Sequence, residues 1–378
     1  MAKMSRPLRV FHLIKSLGRG GAEMLLADGP RLSDPARIVY GFGYFLPHKD
    51  ALVPELKRQF GHVVCFPATN AGAMFAQTAR VAAHLRHWRA DLVHCHLPLA
   101  GAVGRLAGLA ARVPVVYTEH NAIERYHTAT RLAARATWRL QRRVIAVSSD
   151  VAASISRAFG GAVPVQVVLN GVSLDRFVRG DFDGDRDRVR RELGIAPEHV
   201  VIGSVAVFRK QKRLDLWLEV ARRVLDETPH ARFLLVGDGP ERQLVERRVS
   251  ELGLSGRVLL PGLQTDVRPY LAAMDVYLMT SDFEGVPLAL LEAMAMQLTP
   301  VVTDAGGMPE MIQSGTNGIV LPRGDVASLA REVQALLAGG ADRRHGYGEA
   351  ARQRVRDRFS TRRMMSEIEQ IYSDAVAS

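Results

Sequence analysis

The stretch Asp282-Phe283-Glu284-Gly285-Val286-Pro287-Leu288-Ala289-Leu290-Leu291-Glu292 sets two carboxylates eight residues apart around a turn that opens a helix. Gly285 lets the backbone approach a ligand closely, and Pro287 suits a first helical turn, where an N–H has no intrahelical partner. The unpaired amides of Val286, Pro287's neighbour Leu288 and the turn they open, together with the positive end of the helix dipole, suit a phosphate. Glu284, in the loop after a strand, and Glu292, two turns on, can each accept hydrogen bonds from vicinal hydroxyls, one set on a sugar and one on a ribose. On spacing alone, a capping acid at Glu284 and a solvated helix acid at Glu292 fit equally well.

Other residues have chemistry to offer. Phe208-Arg209-Lys210-Gln211-Lys212-Arg213 follows a strand-like run, which places Arg209 and Lys212 at a strand end as fixed positive charge; the alternative is a cation-rich surface turn. Gly20-Gly21 follows the first strand-like run and opens a helix, so its amides can approach a diphosphate, or it is simply a tight turn. His120 ends the run 113–120 and can face a ligand or sit buried and hydrogen-bonded. His94 and His96 end another run and are expected to face opposite ways, with no third zinc ligand apparent. Asp183 and Asp185 spell D-x-D, but in a charged linker away from any strand end, where solvation is the expected role.

The elements that must position these groups follow from hydrophobic patterning. The 378 residues are too many for one ordinary core and enough for two, and 47% apolar with 24% charged residues excludes a disordered or fibrous chain. The most apolar window, residues 97–117, is broken by Arg105 and Arg112, so no membrane span is expected, and no signal peptide is apparent at the start. Cys65 and Cys95 lie in strand-like runs and read as buried thiols of a cytoplasmic protein. Unalternating apolar runs at 8–14, 36–45, 62–67, 90–97, 113–120 and 142–149 predict parallel strands buried on both faces, with helices such as 72–89 and 101–111 between them. The pattern restarts with strands at 200–208, 231–237, 257–261, 275–280, 300–303 and 318–321, and with helices at 213–227, 240–252, 287–297 and 325–337. Two doubly wound α/β domains follow, joined near 170–195 by a charged stretch without apolar period. Ligands of such sheets bind beyond the strands' carboxyl ends, so the gap between two facing sheets is the expected site.

Glu284 and Glu292 form an E-x7-E pattern, and Gly306-Gly307-Met308-Pro309-Glu310 continues it as GG-x-PE. Together with Gly20-Gly21-Ala22-Glu23, Thr118-Glu119-His120, Asn170-Gly171-Val172 and Leu235-Val236-Gly237-Asp238-Gly239-Pro240, these landmarks resemble, in order and over nearly the whole chain, the retaining family-4-like glycosyltransferases of GT-B fold. The resemblance implies an acceptor-binding Rossmann-like domain over 1–172 and a nucleotide-sugar-binding one over 173–358 facing it across a cleft. A C-terminal helix, 359–378, then packs back on the first domain. It implies a nucleotide-diphosphate sugar as donor substrate, no cofactor and no metal. Arg209 and Lys212 would meet the charge developing on the departing β-phosphate. Glu284 and His120 would position the sugar, while Gly20, Gly21, Leu263, Phe283, Gly285, Val286, Pro287, Leu288 and Glu292 would complete the donor site. The sequence departs from the commoner pattern at Val207, five residues before Lys212, where arginine is usual, and at Arg213, where glycine is usual.

Charge distribution bears on the acceptor. Residues 1–175 hold 22 Lys+Arg against 10 Asp+Glu, whereas residues 176–378 hold 28 against 29, so the net charge of +11 belongs to the first half. Arg131, Arg135 and Arg139 recur every four residues, as one cationic helix face would, and such a face is either solvated or drawn to an anionic surface. A phosphorylated lipid leaflet suits that face better than nucleic acid, for which no recognition motif is apparent. The sequence therefore reads as a cytoplasmic glycosyltransferase, peripheral on the membrane's inner face, lengthening an envelope glycan on a lipid-linked or polysaccharide acceptor with retention. A nucleotide-sugar epimerase of the same architecture and a non-catalytic nucleotide-sugar sensor are the alternatives.

Overall fold

The structure is a computed structural model and describes residues 6–377. It forms two compact units. The first runs to Gly171 and takes in the helix Thr361–Ala377; the second is Val172–Ser360.

In the first unit seven parallel strands lie in one sheet: β1 (Leu8–Ile14), β2 (Ile38–Tyr44), β3 (Val63–Cys65), β4 (Leu92–His96), β5 (Val115–Glu119), β6 (Arg143–Ala146) and β7 (Val165–Val167). Their order is β3-β2-β1-β4-β5-β6-β7, so the winding reverses between β1 and β4. Loops leaving those two strands part in opposite directions and open a crevice at the carboxyl edge. On one face Phe11, Leu13, Val93 and Cys95 join the core that includes Ala100, Val103 and Ala107 of the helix Pro98–Ala111. On the other, Val10, Ile14 and Val116 are covered by Met364, Met365, Ile371 and Tyr372 of the C-terminal helix. Each such side chain stabilises the docking by about 1.5–3 kcal/mol, which is why this helix folds with the first unit.

The second unit repeats the plan with six parallel strands: β8 (Val200–Val205), β9 (Ala231–Val236), β10 (Val258–Gly262), β11 (Val276–Met279), β12 (Thr299–Thr303) and β13 (Ile319–Leu321). The order is β10-β9-β8-β11-β12-β13, and its reversal lies between β8 and β11. The helix Leu214–Glu227 buries Leu214, Trp217, Leu218, Ala221 and Val224 at helical spacing, and the Trp217 indole donates to the Leu278 carbonyl at 3.2 Å.

Several sequence expectations need correction. The stretch 170–195 is no open linker: Asp183–Glu192 is a helix, held by the buried Arg190, which pairs with Asp275 at 2.8 Å and donates to the Ala273 carbonyl. An arginine replaces the apolar anchor that periodicity would detect. The predicted helix 72–89 is two, Ala71–Ala76 and Thr78–His87; at the break the Thr78 hydroxyl donates to the Phe75 carbonyl and the Gln77 side-chain Nε2 donates to the Pro67 carbonyl. Strand β7 and the helix Gly340–Arg358 escape the apolar patterning, one being half exposed and the other burying only Gly348, Ala351 and Val355. Cys95 is buried, but Cys65 only partly so.

Candidate active site

At the β8–β11 reversal the loops after the two strands are fastened together. The Lys212 ammonium lies 2.5 Å from Glu284 Oε1, with side chains 17% and 8% exposed, and the Ser281 hydroxyl donates to the same oxygen at 2.8 Å. Thr280 Oγ1 bonds the carbonyls of Lys212 and Arg213, and the Asp282 amide donates to the Gln211 carbonyl at 2.9 Å. Arg213, which stands where glycine is usual, adopts a left-handed φ of +48° and pairs with Asp215 and Asp282. That conformation costs a non-glycine residue about 1 kcal/mol, and the two ion pairs offset it. Arg209 is exposed on the same loop, and among the described residues no side chain is bonded to its guanidinium.

Neighbouring strand ends close around this pair. Gly237 has a φ of +132°, and a Cβ there would lie 1.9 Å from the Ala206 carbonyl oxygen, so the turn after β9 can press on the loop after β8 only as glycine. The turn after β12 does the same from the other side: at Gly306, φ +56°, a Cβ would lie 1.8 Å from the Glu284 carbonyl oxygen, and the Gly307 amide donates to the Gly285 carbonyl at 3.1 Å. The GG-x-PE segment thus braces the backbone at Glu284 and Gly285.

The helix that follows is Leu288–Ala295, with Pro287 as its N-cap rather than in its first turn. Leu288 and Ala289 carry first-turn amides, which have no carbonyl one turn back to bond. Val286 and Pro287 are buried and anchor the helix start, while Phe283 and Gly285 are half-buried beside it. Glu292 is half-buried. Its carboxylate and that of Glu284 both lie close enough to the buried Tyr277 phenol to add to the upward push that burial gives its pKa. The two acids therefore converge on one region. Leu263, after β10, is 74% exposed.

In the first unit Gly20 is the N-cap of the helix Gly21–Asp28, immediately beyond the loop after β1. Glu23 of that helix accepts from the buried Ser16 hydroxyl at 2.8 Å, which pins the turn. His120 follows β5 and is half-buried. Its backbone amide donates to Glu119 Oε1 at 3.0 Å, and the buried Glu119 carboxyl also accepts from Tyr117 and Tyr126. Burial drives the His120 imidazole down to about 4, so it is neutral at physiological pH.

His94 and His96 do not face opposite ways. Strand residues two apart share a face, and their rings sit 4.1 Å apart with Cys95 on the opposite side. A third histidine, absent from the sequence-derived site, completes the group: His12 of β1 stacks on His96 at 5.2 Å, with Nδ1 3.0 Å from His96 Nε2. His96 Nδ1 in turn lies 3.4 Å from His120 Nε2. His94 meets the Tyr372 hydroxyl at 2.6 Å and Thr118 Oγ1 at 2.7 Å. The strand period of two, applied to Val10-Phe11-His12, was the available signal. Among the described residues, His12, His94 and His96 are the group whose spacing suits a metal ion.

Arg131 and Arg135 are exposed on the helix Thr128–Thr137, but that helix ends before Arg139, which lies exposed in the 3-10 turn Trp138–Leu140. One continuous cationic helix face is therefore not formed. Asp185 pairs with Arg188 at 2.7 Å on an exposed helix surface and Asp183 is exposed, consistent with solvation. No helix among the described residues is long and apolar enough to cross a membrane.

Comparison with known proteins fits this geometry. A profile described as Glycosyltransferase Family 4 matches residues 9–176, and one described as Glycosyl transferases group 1 matches residues 185–354. D-inositol 3-phosphate glycosyltransferase of Streptomyces bingchenggensis is 30% identical over 312 residues, 76% of this chain and 67% of that protein. The chain belongs to the family-4-like, group 1 glycosyltransferases. A second member, N-acetyl-alpha-D-glucosaminyl L-malate synthase of Bacillus anthracis, is 34% identical over 195 residues; the matched part spans about half of that protein, 51%, and 52% of this chain. The fold is the family's GT-B fold: the crystal structure of Anabaena Alr3699/HepE in complex with UDP-glucose superposes with a TM-score of 0.85, covering 97% of this chain and 100% of that one at 23% identity.

Proposed function

We propose that the chain transfers a sugar from a uridine-diphosphate sugar to a glycan or lipid-linked acceptor, with retained anomeric configuration, in the synthesis of a cell-envelope or exopolysaccharide glycan. The observation that carries this reading is the Lys212–Glu284 pair at the β8–β11 reversal, 2.5 Å across and beside the start of the helix Leu288–Ala295. A mobile diphosphate needs fixed positive charge where its leaving oxygen develops negative charge. Lys212, the exposed Arg209 and the first-turn amides supply it at one strand-end edge, without a metal. Glu284 and Glu292 then accept hydrogen bonds from sugar and ribose hydroxyls, with Phe283 and Leu263 beside the donor. The uridine donor is carried over from HepE, whose structure holds UDP-glucose.

In the transfer the bond from the anomeric carbon to the β-phosphate oxygen breaks while the acceptor oxygen bonds that carbon from the same face. The acceptor's proton passes to the departing phosphate, so no protein nucleophile is needed. His120, neutral at pH 7, acts as a hydrogen-bonding group to the sugar and Gly20-Gly21 as amide donors to the diphosphate. The second unit is the donor domain and the first the acceptor domain, whose excess of cations suits an anionic acceptor or leaflet at the cytoplasmic face. Both relatives named above act, by their names, on anionic small acceptors, L-malate and an inositol phosphate.

The test is incubation of the purified chain with labelled UDP-sugars, with and without pyrophosphate-linked lipid or phosphorylated acceptors, followed by NMR of the anomeric proton of the product. Acceptor-dependent release of UDP with an unchanged anomeric configuration is expected. Conversion of the donor without acceptor would indicate an epimerase, and binding of UDP-sugars with no turnover on any acceptor a sensor. Co-sedimentation with anionic vesicles at low salt, lost on Arg131→Glu/Arg135→Glu, tests the membrane contact.

A further inference from the structure

Three imidazoles meet inside the first unit on the face of β1 and β4 that the C-terminal helix covers. His12, His94 and His96 are 4%, 1% and 6% exposed, and each can offer a ring nitrogen such that all three lie within 4.8 Å of one another. They line a cavity of about 40 Å³, whose wall is mostly apolar, with Leu26, Val168 and Met365, but also includes Thr118, His120 and Asn170. That volume exceeds what one water or ion requires.

The group is poorly explained as hydrogen-bonded core. A neutral His12 has one N–H. If Nδ1 carries it, the proton goes to His96 and Nε2 is left as a buried lone pair. If Nε2 carries it, a buried donor has no acceptor. His12 Nε2 has no partner in either case. A phenyl ring would fill the same space without the desolvation cost of that nitrogen. His94 meets Tyr372 through Nδ1 at 2.6 Å and Thr118 through Nε2 at 2.7 Å, so a metal bond would replace one of these contacts while the other orients the ring.

We propose that His12, His94 and His96 form a binding site for a late first-row divalent ion, zinc in the first place, with a fourth position open to water in the cavity. Imidazole trios of this kind take zinc, cobalt, nickel or copper in preference to magnesium or calcium. Zinc–nitrogen bonds of about 2.0–2.1 Å put tetrahedral ligand nitrogens about 3.4 Å apart. The three nitrogens, within 4.8 Å of one another, would have to close by up to about 1.4 Å to reach that spacing. The ion would tie β1 to β4 beneath Tyr372, and hence beneath the C-terminal helix. The site lies within the first unit and the Lys212–Glu284 pair within the second, although His96 reaches His120 at 3.4 Å.

The full chain, with any affinity tag removed, is stripped with a chelator, exchanged into chelator-free buffer and titrated with cobalt. One equivalent should give the visible bands of four-coordinate cobalt, and zinc should displace it. Zinc at 100 times its dissociation constant should raise the melting transition of the first unit by about 5–10 °C. His12→Phe keeps a ring against Phe42, on which His12 stacks at 5.4 Å, and should abolish both effects. His84→Phe serves as control for the other close histidine pair, His62–His84, and should leave both intact. X-ray absorption at the zinc edge of the wild-type protein should show three imidazole nitrogens and one further light ligand, a readout that does not depend on the variants folding. Absence of one-equivalent binding, loss of binding in His84→Phe but not His12→Phe, or sulfur in the zinc shell would each overturn the assignment.

Discussion

Replacing Lys212 and Glu284 separately should move nucleotide affinity in opposite directions. Lys212→Met leaves the Glu284 carboxylate, 8% exposed, with the Ser281 hydroxyl as its remaining side-chain partner among the described residues. Breaking a buried ion pair from one side costs about 3–5 kcal/mol, and the partial exposure of Lys212 puts the expected loss of stability at about 2–3 kcal/mol. Binding of UDP loses in addition a charge-assisted hydrogen bond worth about 1.5–3 kcal/mol, a roughly 10- to 150-fold rise in Kd. Glu284→Gln keeps a carbonyl that can accept from both Lys212 and Ser281, so its stability should fall by about 1 kcal/mol at most. It also removes a negative charge beside the diphosphate and replaces the ion pair of Lys212 by a weaker hydrogen bond to a neutral amide, which should tighten UDP about fivefold. Turnover should fall about 100-fold all the same, because the transferred sugar loses the acceptor that orients it. Titration calorimetry with UDP, read beside denaturant unfolding and the steady-state rate, separates these effects. If Glu284→Gln weakens UDP as much as Lys212→Met does, the carboxylate is not a competitor for the lysine. If neither variant changes UDP affinity, the diphosphate does not bind at the β8–β11 reversal.

Gly306→Ala should destabilise by more than about 2 kcal/mol and depress turnover, because a methyl group 1.8 Å from the Glu284 carbonyl oxygen must displace the loop that carries the acid; unfolding and rate measured together check it, and wild-type values for both would show the turn to be slack. Arg213→Gly relieves a φ of +48° but removes the pairs to Asp215 and Asp282, so the unfolding free energy should stay within about 1 kcal/mol of wild type. Burial depresses His84 to about 4, so below about pH 6.5 the unfolded chain takes up a proton that the folded one refuses, and stability falls as pH drops through that window. Allowing for its partial exposure, His84→Phe should shrink the loss of stability between pH 7 and 5 by about 1 kcal/mol in urea titrations; an unchanged loss would contradict the shift. Tyr372→Phe leaves a buried His94 nitrogen without its 2.6 Å partner and should cost about 1–3 kcal/mol, seen as earlier release of the C-terminal helix in hydrogen exchange.

Two doubly wound sheets and most strand positions were legible in the amino-acid order, because parallel strands buried on both faces leave unbroken apolar runs and their covering helices a 3.6-residue stripe; the return of the C-terminal helix onto the first unit came from the family resemblance. Elements anchored by something other than an apolar stripe were not. Asp183–Glu192 is held by buried Arg190, Gly340–Arg358 by close backbone approach at Gly348, and β7 is an edge three residues long. The donor-side residues were legible as types at strand ends. That Lys212 and Glu284 touch, and that Gly306 must be glycine for Glu284 to lie where it does, depend on which strands are neighbours.

Strand order is where the linear sequence stops being informative. β8 and β11 are separated by 70 residues or more along the chain yet lie side by side, as do β1 and β4, and only that adjacency makes a site from 212 and 284 or from His12, His94 and His96. Local propensities and periodicity are set by residues a few positions apart and so can be read directly. Pairing across a sheet is decided by the packing of the whole core, and so are the charge contacts and buried lone pairs on which the chemistry rests.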